Sequence, residues 1–126
     1  MEISERARAA AATAAAAGRA LGLTVDEPRV LHDVFSVVVH LAPAPVVVRA
    51  PTVLPPTIRA DPQGQAAQQR AEVAVARWLA QRGHPVVAPS PLVAEQPVRR
   101  DGLSMTFWTF VQQVDGSTMQ DASRGA

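Results

Sequence analysis

Residues 46–51 read VVVRAP, a β-branched run that closes on Arg49. β-Branched residues favour strands, so this run predicts a β-strand with one cation near its end. Further along, RAEVAVARWL over residues 70–79 has a helical pattern of alanine and valine that carries one glutamate, Glu72. A third stretch, LSMTFWTFV over residues 103–111, is apolar at nearly every position and predicts a central strand covered on both faces.

The residues before the strand at 46–51 are predicted to form a helix and another strand. Ser4 can cap a helix whose alanine run continues to about Leu21, with Gly22 as its stop. Because its side chains are small, we expect this helix to pack weakly. We expect residues 24–28 to form a polar connection. Residues 35–41 alternate apolar and polar and predict a strand, and the two prolines in residues 42–45 turn it back onto residues 46–49.

The chain after residue 51 is expected to hold a helix and a hairpin. Residues 51–64, rich in proline, predict an exposed connection, and residues 65–82 predict a helix that Gly83 ends. On a helical wheel Glu72 flanks one face, which we expect to pack on the sheet. The members of that face are Gln68, Ala71, Val75, Trp78, Leu79 and Arg82.

The remaining segments complete an α+β domain over residues 1–115. We expect a short strand at residues 91–94, and the Asp101-Gly102 pair predicts a hairpin turn before residue 103. The result is an antiparallel sheet of four to five strands, with one helix packed across it and an alanine-rich N-terminal helix. Residues 116–126 lose all periodicity and predict a disordered tail.

Composition excludes several classes of function. The chain has no cysteine, which removes disulfides and thiolate chemistry and is compatible with the cytoplasm. Its 12 basic residues are all arginine, and they are scattered along the sequence without interleaved aromatics, which argues against a nucleic-acid partner. The alanine run is too short and too weakly apolar to span a bilayer, so we expect no membrane association.

The order of these elements resembles the small lobe of the aminoglycoside phosphotransferase family, whose fold is protein-kinase-like. The resemblance covers residues 30–116, looks most like an uncharacterised actinobacterial branch, and lies in the order and spacing of elements without a single diagnostic motif. Five segments carry it: LHDVFSVVVHL at 31–41, VVVRA at 46–50, QRAEVAVARWL at 69–79, GHPVV at 83–87 and DGLSMTFW at 101–108.

The resemblance implies roles for three residues. Arg49 takes the position of the strand cation that faces the nucleotide phosphates, and Glu72 that of the helix acid that holds it. Ser36 closes the turn DVFS at residues 33–36, which stands where kinases have a glycine-rich loop, although the chain has no glycine between Gly22 and Gly64. The alternative is that Arg49 and Glu72 do not contact each other, or that they form a solvent-exposed ion pair that contributes little to stability.

Complete members of the family use ATP and Mg²⁺ to phosphorylate a small-molecule hydroxyl, but this sequence lacks several of the residues that the reaction requires. It contains no asparagine to hold the metal, no lysine, and no candidate for the catalytic base, so we expect no cofactor and no catalytic residue. We therefore expect a truncated phosphotransferase-like protein that is inactive alone. Two alternatives stay open: a non-catalytic interaction or regulatory module acting through its lobe-facing surface, and a gene remnant with no activity.

A self-association surface is also expected. Without a larger lobe, Phe107, Trp108, Phe110 and Val111 should form an exposed apolar patch, which commonly marks an interface. The sequence therefore predicts a homodimer or a higher homo-oligomer.

Overall fold

A computed structural model describes residues 3–111 as three helices and five strands in an α+β arrangement. The helices are α1 (Glu5–Ala20), α2 (Pro56–Arg59) and α3 (Pro62–Gln81). The strands are β1 (Val25–Asp33), β2 (Ser36–Pro43), β3 (Val46–Pro51), β4 (Val98–Arg100) and β5 (Leu103–Thr109). The strands form one antiparallel sheet in the order β1-β2-β3-β5-β4. The predicted α+β class and antiparallel sheet are confirmed, and the expected tail at residues 116–126 lies outside the described residues.

Two strands differ from the sequence prediction. Residues 24–28, expected to be a polar connection, instead contain the start of β1. In β1 only Val25 is buried, and an edge strand of this kind tolerates Pro28 and a polar composition. Residues 91–94 do not form the expected strand, and the short strand that pairs with β5 is β4. Pro91, the first residue of that segment, has no N–H to donate to a ladder.

The expectation that α1 packs weakly is wrong. The helix begins at the Ser4 cap, whose Oγ accepts a hydrogen bond from the Ala7 N–H at 3.0 Å, and ends before Gly22 at φ 93°. Most of its alanines are buried against the sheet, because small side chains let the helix backbone approach closely; the buried ones are Ala7, Ala10, Ala11, Ala14, Ala15 and Ala17. A Cβ added at Gly18 would lie only 2.7 Å from Leu41 Cδ1.

The apolar core lies between α1 and one face of the sheet. β2 and β3 each alternate buried and less buried residues along their length, so one face of the sheet points to α1. Phe107 of β5 pairs with Val48 of β3 and extends that face. The strand residues of the core are Val25, Val37, Val39, Leu41, Val46, Val48, Ala50, Met105 and Phe107.

The β4–β5 hairpin has the turn that its sequence predicts. Asp101 and Gly102 have φ values of 52° and 80°, so both central positions adopt the left-handed region. A two-residue loop with two positive φ values matches the twist of the flanking strands, and Asp-Gly is among its preferred sequences. This turn pairs β4 with β5, and the other edge of β5 pairs with β3.

Candidate functional site

The face of the sheet that points away from α1 is polar where α3 crosses it. In β3 the exposed Arg49 pairs with Thr106 of β5, and Val47 pairs with Trp108. Residues directly opposite in an antiparallel pair share a face, so Arg49, Thr106 and Trp108 all lie on the α3 side. A cation, a hydroxyl and an indole are thereby placed together beneath the helix.

Arg49 and Glu72 form an ion pair between β3 and α3. Arg49 Nη1 donates to Glu72 Oε2 at 3.4 Å, which is the strand-to-helix contact expected from the sequence. The side chains are 47% and 48% exposed, so the pair is screened by water and contributes little to stability. Both groups remain accessible to a ligand or a partner.

A polar cavity of about 160 Å³ opens on one side of this ion pair. It is lined by Arg49, Pro51, Leu54, Ile58, Gln65, Gln68, Gln69, Glu72, Thr106 and Trp108. Among the described lining residues, one guanidinium, one hydroxyl and several amides can donate to a small anion, while Glu72 supplies a carboxylate. Sites that hold drug-sized ligands usually enclose about 300–1,000 Å³, so this cavity matches a phosphate-sized group better than a whole nucleotide.

A buried glutamine, Gln69, holds the helix above this cavity. Gln69 is 5% exposed, and its Nε2 donates to the Ser104 carbonyl oxygen at 3.0 Å. Ser104 Oγ donates back to Gln69 Oε1, so the amide is satisfied on both sides. A buried amide with two partners fixes the position of the helix, because breaking either bond leaves an unsatisfied polar group.

This anchoring overturns the predicted orientation of α3. The face expected to pack on the sheet is largely exposed, with Val75 57% exposed and Trp78 51% exposed. The face that packs on the sheet instead carries Gln65, Gln69 and Val73. A helical wheel sorted by hydrophobicity favours the side that carries Val75, Trp78 and Leu79, so it selects the wrong side of the helix.

Ala71, Val75 and Leu79 of α3 line a groove on the other side of the ion pair. We call this concavity of about 460 Å³ the α3 groove. Its lining residues are Arg49, Gln68, Ala71, Glu72, Val75, Ala76, Leu79, Val86 and Trp108. Arg49 and Glu72 therefore border both concavities, and the ion pair is the boundary between a polar cavity and a mostly apolar groove.

The third predicted site residue, Ser36, lies apart from this pair. It pairs with Pro51 at the start of β2, on the same face of the sheet as Arg49, because Val38 is opposite Arg49. Among the described residues that line the polar cavity or the α3 groove, Ser36 does not occur. The structure brings together Arg49 and Glu72, but it does not bring Ser36 to them.

The turn before Ser36 interacts with α1. Ser4 Oγ donates to Asp33 Oδ2 at 2.7 Å, and Arg6 Nη2 lies 3.3 Å from Asp33 Oδ1. The Ser4 hydrogen bond, followed by the Arg6 contact, holds the pKa of the Asp33 carboxyl below its usual value although partial burial opposes this. At the tip of the turn Phe35 is 70% exposed.

The apolar patch expected around the end of β5 does not form as predicted. Phe107 is 5% exposed because it belongs to the core beneath α1. Phe110 stacks on the His40 ring, with centroids 3.6 Å apart and an interplanar angle of 7°. Only Val111 of the four residues is mostly exposed, at 58%, and Trp108 lines the two concavities. The largest apolar concavity described above is the α3 groove instead.

Sequence reasoning missed Gln65, Gln69 and Thr106 as parts of the site. The sequence signal for the two glutamines is the spacing of Gln65, Gln69 and Val73, which are four residues apart and therefore lie on one helix face. Within residues 3–111 no group of three or more His, Asp or Glu side chains is arranged to hold a metal ion. No helix in the same range is long and apolar enough to cross a membrane.

The function of this chain has to be argued from the geometry of the site. No protein-family model, curated protein or solved structure matches this chain.

Proposed function

We propose that the chain is a kinase-like small lobe, similar to that of the aminoglycoside phosphotransferases. The observation that carries this proposal is the Arg49–Glu72 ion pair, with 3.4 Å between Nη1 and Oε2. Protein kinases join a cation on the third strand to a glutamate on the helix that follows, and that cation reaches the nucleotide phosphates. Here Arg49 lies on β3 and Glu72 on α3, beside a cavity with room for a phosphate group.

The order of elements gives the proposal a second support. Three consecutive antiparallel strands precede α3, and a hairpin then inserts its second strand beside β3. Trp108 and Thr106 of that strand form the floor of the cavity next to Arg49. A nucleotide phosphate entering from this side would meet the guanidinium and the Thr106 hydroxyl.

The residue types that the chain lacks lead us to propose that these 126 residues do not transfer phosphate by themselves. Metal-assisted phosphoryl transfer depends on positioning and on neutralising the charge of the phosphates. The chain has no asparagine, and the turn over the expected phosphate position has no glycine. Arg49 is then the main cation for several negative charges, and one half-exposed cation provides little net affinity.

Titration with MgATP tests this proposal in two ways. A ligand at 100 times its dissociation constant stabilises a fold by about 2.7 kcal/mol, which would raise the melting temperature of such a domain by about 10 °C or more. We expect no resolvable rise with millimolar MgATP. In amide NMR spectra we expect weak, unsaturated shifts near Arg49 and Thr106.

Two variants separate the outcomes. Arg49→Ala should remove the NMR shifts, while Arg70→Ala, which changes an exposed arginine of α3, should retain them. A saturable rise in melting temperature would contradict the proposed lack of tight MgATP binding. Shifts that persist unchanged in Arg49→Ala, or that occur only far from β3, would contradict the proposed role of Arg49.

The α3 groove favours a second candidate function, that of a non-catalytic interaction module. Val75 and Trp78 are more than half exposed on a helix face that also carries Ala71 and Leu79, with Gln68 and Arg82 at its ends. Exposed contiguous apolar surface commonly marks an interaction site. We expect a hydrophobic dye to bind here, and Val75→Glu to reduce that binding. Val53→Glu, at an exposed valine outside the groove, is the matched control, and equal dye binding by both variants would contradict this function.

A further inference from the structure

We propose that the α3 groove is covered by a second copy of this chain, with the two α3 helices antiparallel about a twofold axis at the level of residue 77. This inference rests on the interaction-module function and names its partner. The contact surface is the α3 apolar face, which we define as Ala71, Val75, Trp78 and Leu79. These residues are spaced three and four apart, so they form one stripe along the helix.

The stripe is complementary to itself in the antiparallel direction. A twofold interface uses the same patch on both copies, so a residue on one side of the axis meets the residue equally far on the other side. Val75 and Leu79 lie two residues on either side of position 77, so each valine would meet a leucine of the other copy. Apolar side chains of different shape then interdigitate along the centre of the interface.

The charges flanking the stripe select the same arrangement. Glu72 and Arg82 lie five residues on either side of position 77, so each glutamate would meet an arginine of the second copy. An antiparallel pair therefore contains two opposite-charge contacts. A parallel pair in register would place Glu72 against Glu72 and Arg82 against Arg82, which is repulsive. Charge complementarity thus argues for a second copy in one orientation.

Side-chain geometry already holds these charges at the edge of the stripe. The Arg82 guanidinium lies 4.3 Å from the centre of the Trp78 ring, in a cation–π contact. That contact keeps the cation over the apolar face and away from bulk solvent on one side. Glu72 is 48% exposed while it contacts Arg49, so one of its faces remains free for a second cation.

Sedimentation equilibrium over a wide range of protein concentration tests the proposal. We expect the wild-type chain to form dimers as its concentration rises, and Val75→Glu to remain monomeric. Val53→Glu introduces the same charge at an exposed valine outside the stripe, so it should dimerise like the wild type. A wild-type chain that stays monomeric, or equal dimerisation by both variants, would overturn the proposal.

Charge reversal tests the orientation. Glu72→Arg or Arg82→Glu alone replaces two attractive contacts by two repulsive ones, which should weaken the dimer about tenfold. The double variant restores opposite charges and should regain most of the lost affinity. A double variant as weak as the single variants would contradict the antiparallel pairing.

The outcomes also separate this inference from the function on which it rests. A monomeric chain whose dye binding depends on Val75 would overturn self-pairing and leave the interaction module in place. A monomeric chain without such dye binding would overturn both.

Discussion

The two faces of the sheet are packed in different ways. On one face, the alanines of α1 lie against valine, leucine, methionine and phenylalanine side chains in a dry core. On the other face, the Gln69–Ser104 hydrogen bonds hold α3, which leaves a cavity and a groove at its sides. The same sheet thus has one tightly packed face and one open, polar face.

The residues that stabilise the fold and the residues that are accessible to a ligand therefore lie on different faces of the sheet. Burial of apolar surface is the main favourable term in folding, and most of the buried apolar residues lie beneath α1. The open face buries few apolar side chains, yet it carries Arg49, Glu72 and the exposed stripe of α3. Substitutions on the first face should therefore change folding, while those on the second should mainly change binding.

Truncation of two neighbouring aromatics gives the largest contrast. Phe107 points into the core and Trp108, the next residue of β5, points to the open face. We expect Phe107→Ala to cost about 4 kcal/mol, within the range for buried phenylalanine. Trp108→Ala should cost at most half as much, because water can fill the space it leaves. Urea unfolding measures both, and equal losses would contradict the contrast.

Enlargement of two alanines in α1 tests how closely the helix lies on the sheet. Ala14 is fully buried and Ala12 is exposed on the same helix. We expect Ala14→Leu to destabilise the protein by about 1–3 kcal/mol, because overpacking forces side chains off their preferred rotamers. Ala12→Leu should change stability by less than about 0.5 kcal/mol. Equal unfolding midpoints for the two variants would show that α1 is loosely seated.

The smallest expected effect concerns charge on the tightly packed side. The pKa of Asp33 is lowered in the folded state, first by the Ser4 hydrogen bond and then by Arg6. Its contribution to stability is therefore present above the unfolded pKa of about 3.9 and is lost as the pH falls through the lower folded pKa. We expect Asp33→Asn to be less stable than wild type at neutral pH and equally stable at the acid end.

A double-mutant cycle tests whether the pH dependence of stability arises from the Ser4–Asp33 hydrogen bond. Ser4 and Asp33 should show a favourable coupling free energy at neutral pH, and this coupling should vanish in acid. Because Ser4 also caps α1, the single variant Ser4→Ala loses stability at every pH. A coupling that does not depend on pH would contradict the role of the Asp33 charge.

The sequence carries much of the fold through local signals. Alternation in residues 35–41 predicts β2 with its buried face, and Asp101-Gly102 predicts the hairpin turn. The beginning of strand β1, at residues 25–28, is missed because an edge strand with one buried residue has no alternation to detect. The burial of α1 is missed because alanine contributes little hydrophobicity per residue, while its small size permits close packing.

The candidate site is predicted less completely. Arg49 and Glu72 are found because single charges in apolar elements are conspicuous, and the structure places them in contact. Gln69 is missed because its burial depends on the Ser104 hydrogen bonds, which form only between distant parts of the chain, and Gln65 lies one turn earlier on the same helix face. Tertiary hydrogen bonding therefore decides which face of α3 meets the sheet.

The strand order has a consequence for how the chain folds. β1, β2 and β3 are joined by short turns, so they can pair with α1 as soon as they are made, while β5 reaches β3 only after α2, α3 and β4 have been synthesised. Until then β3 is an edge strand, and its valines present unpaired backbone groups to other chains. Nascent or partly unfolded molecules should therefore aggregate through residues 46–51.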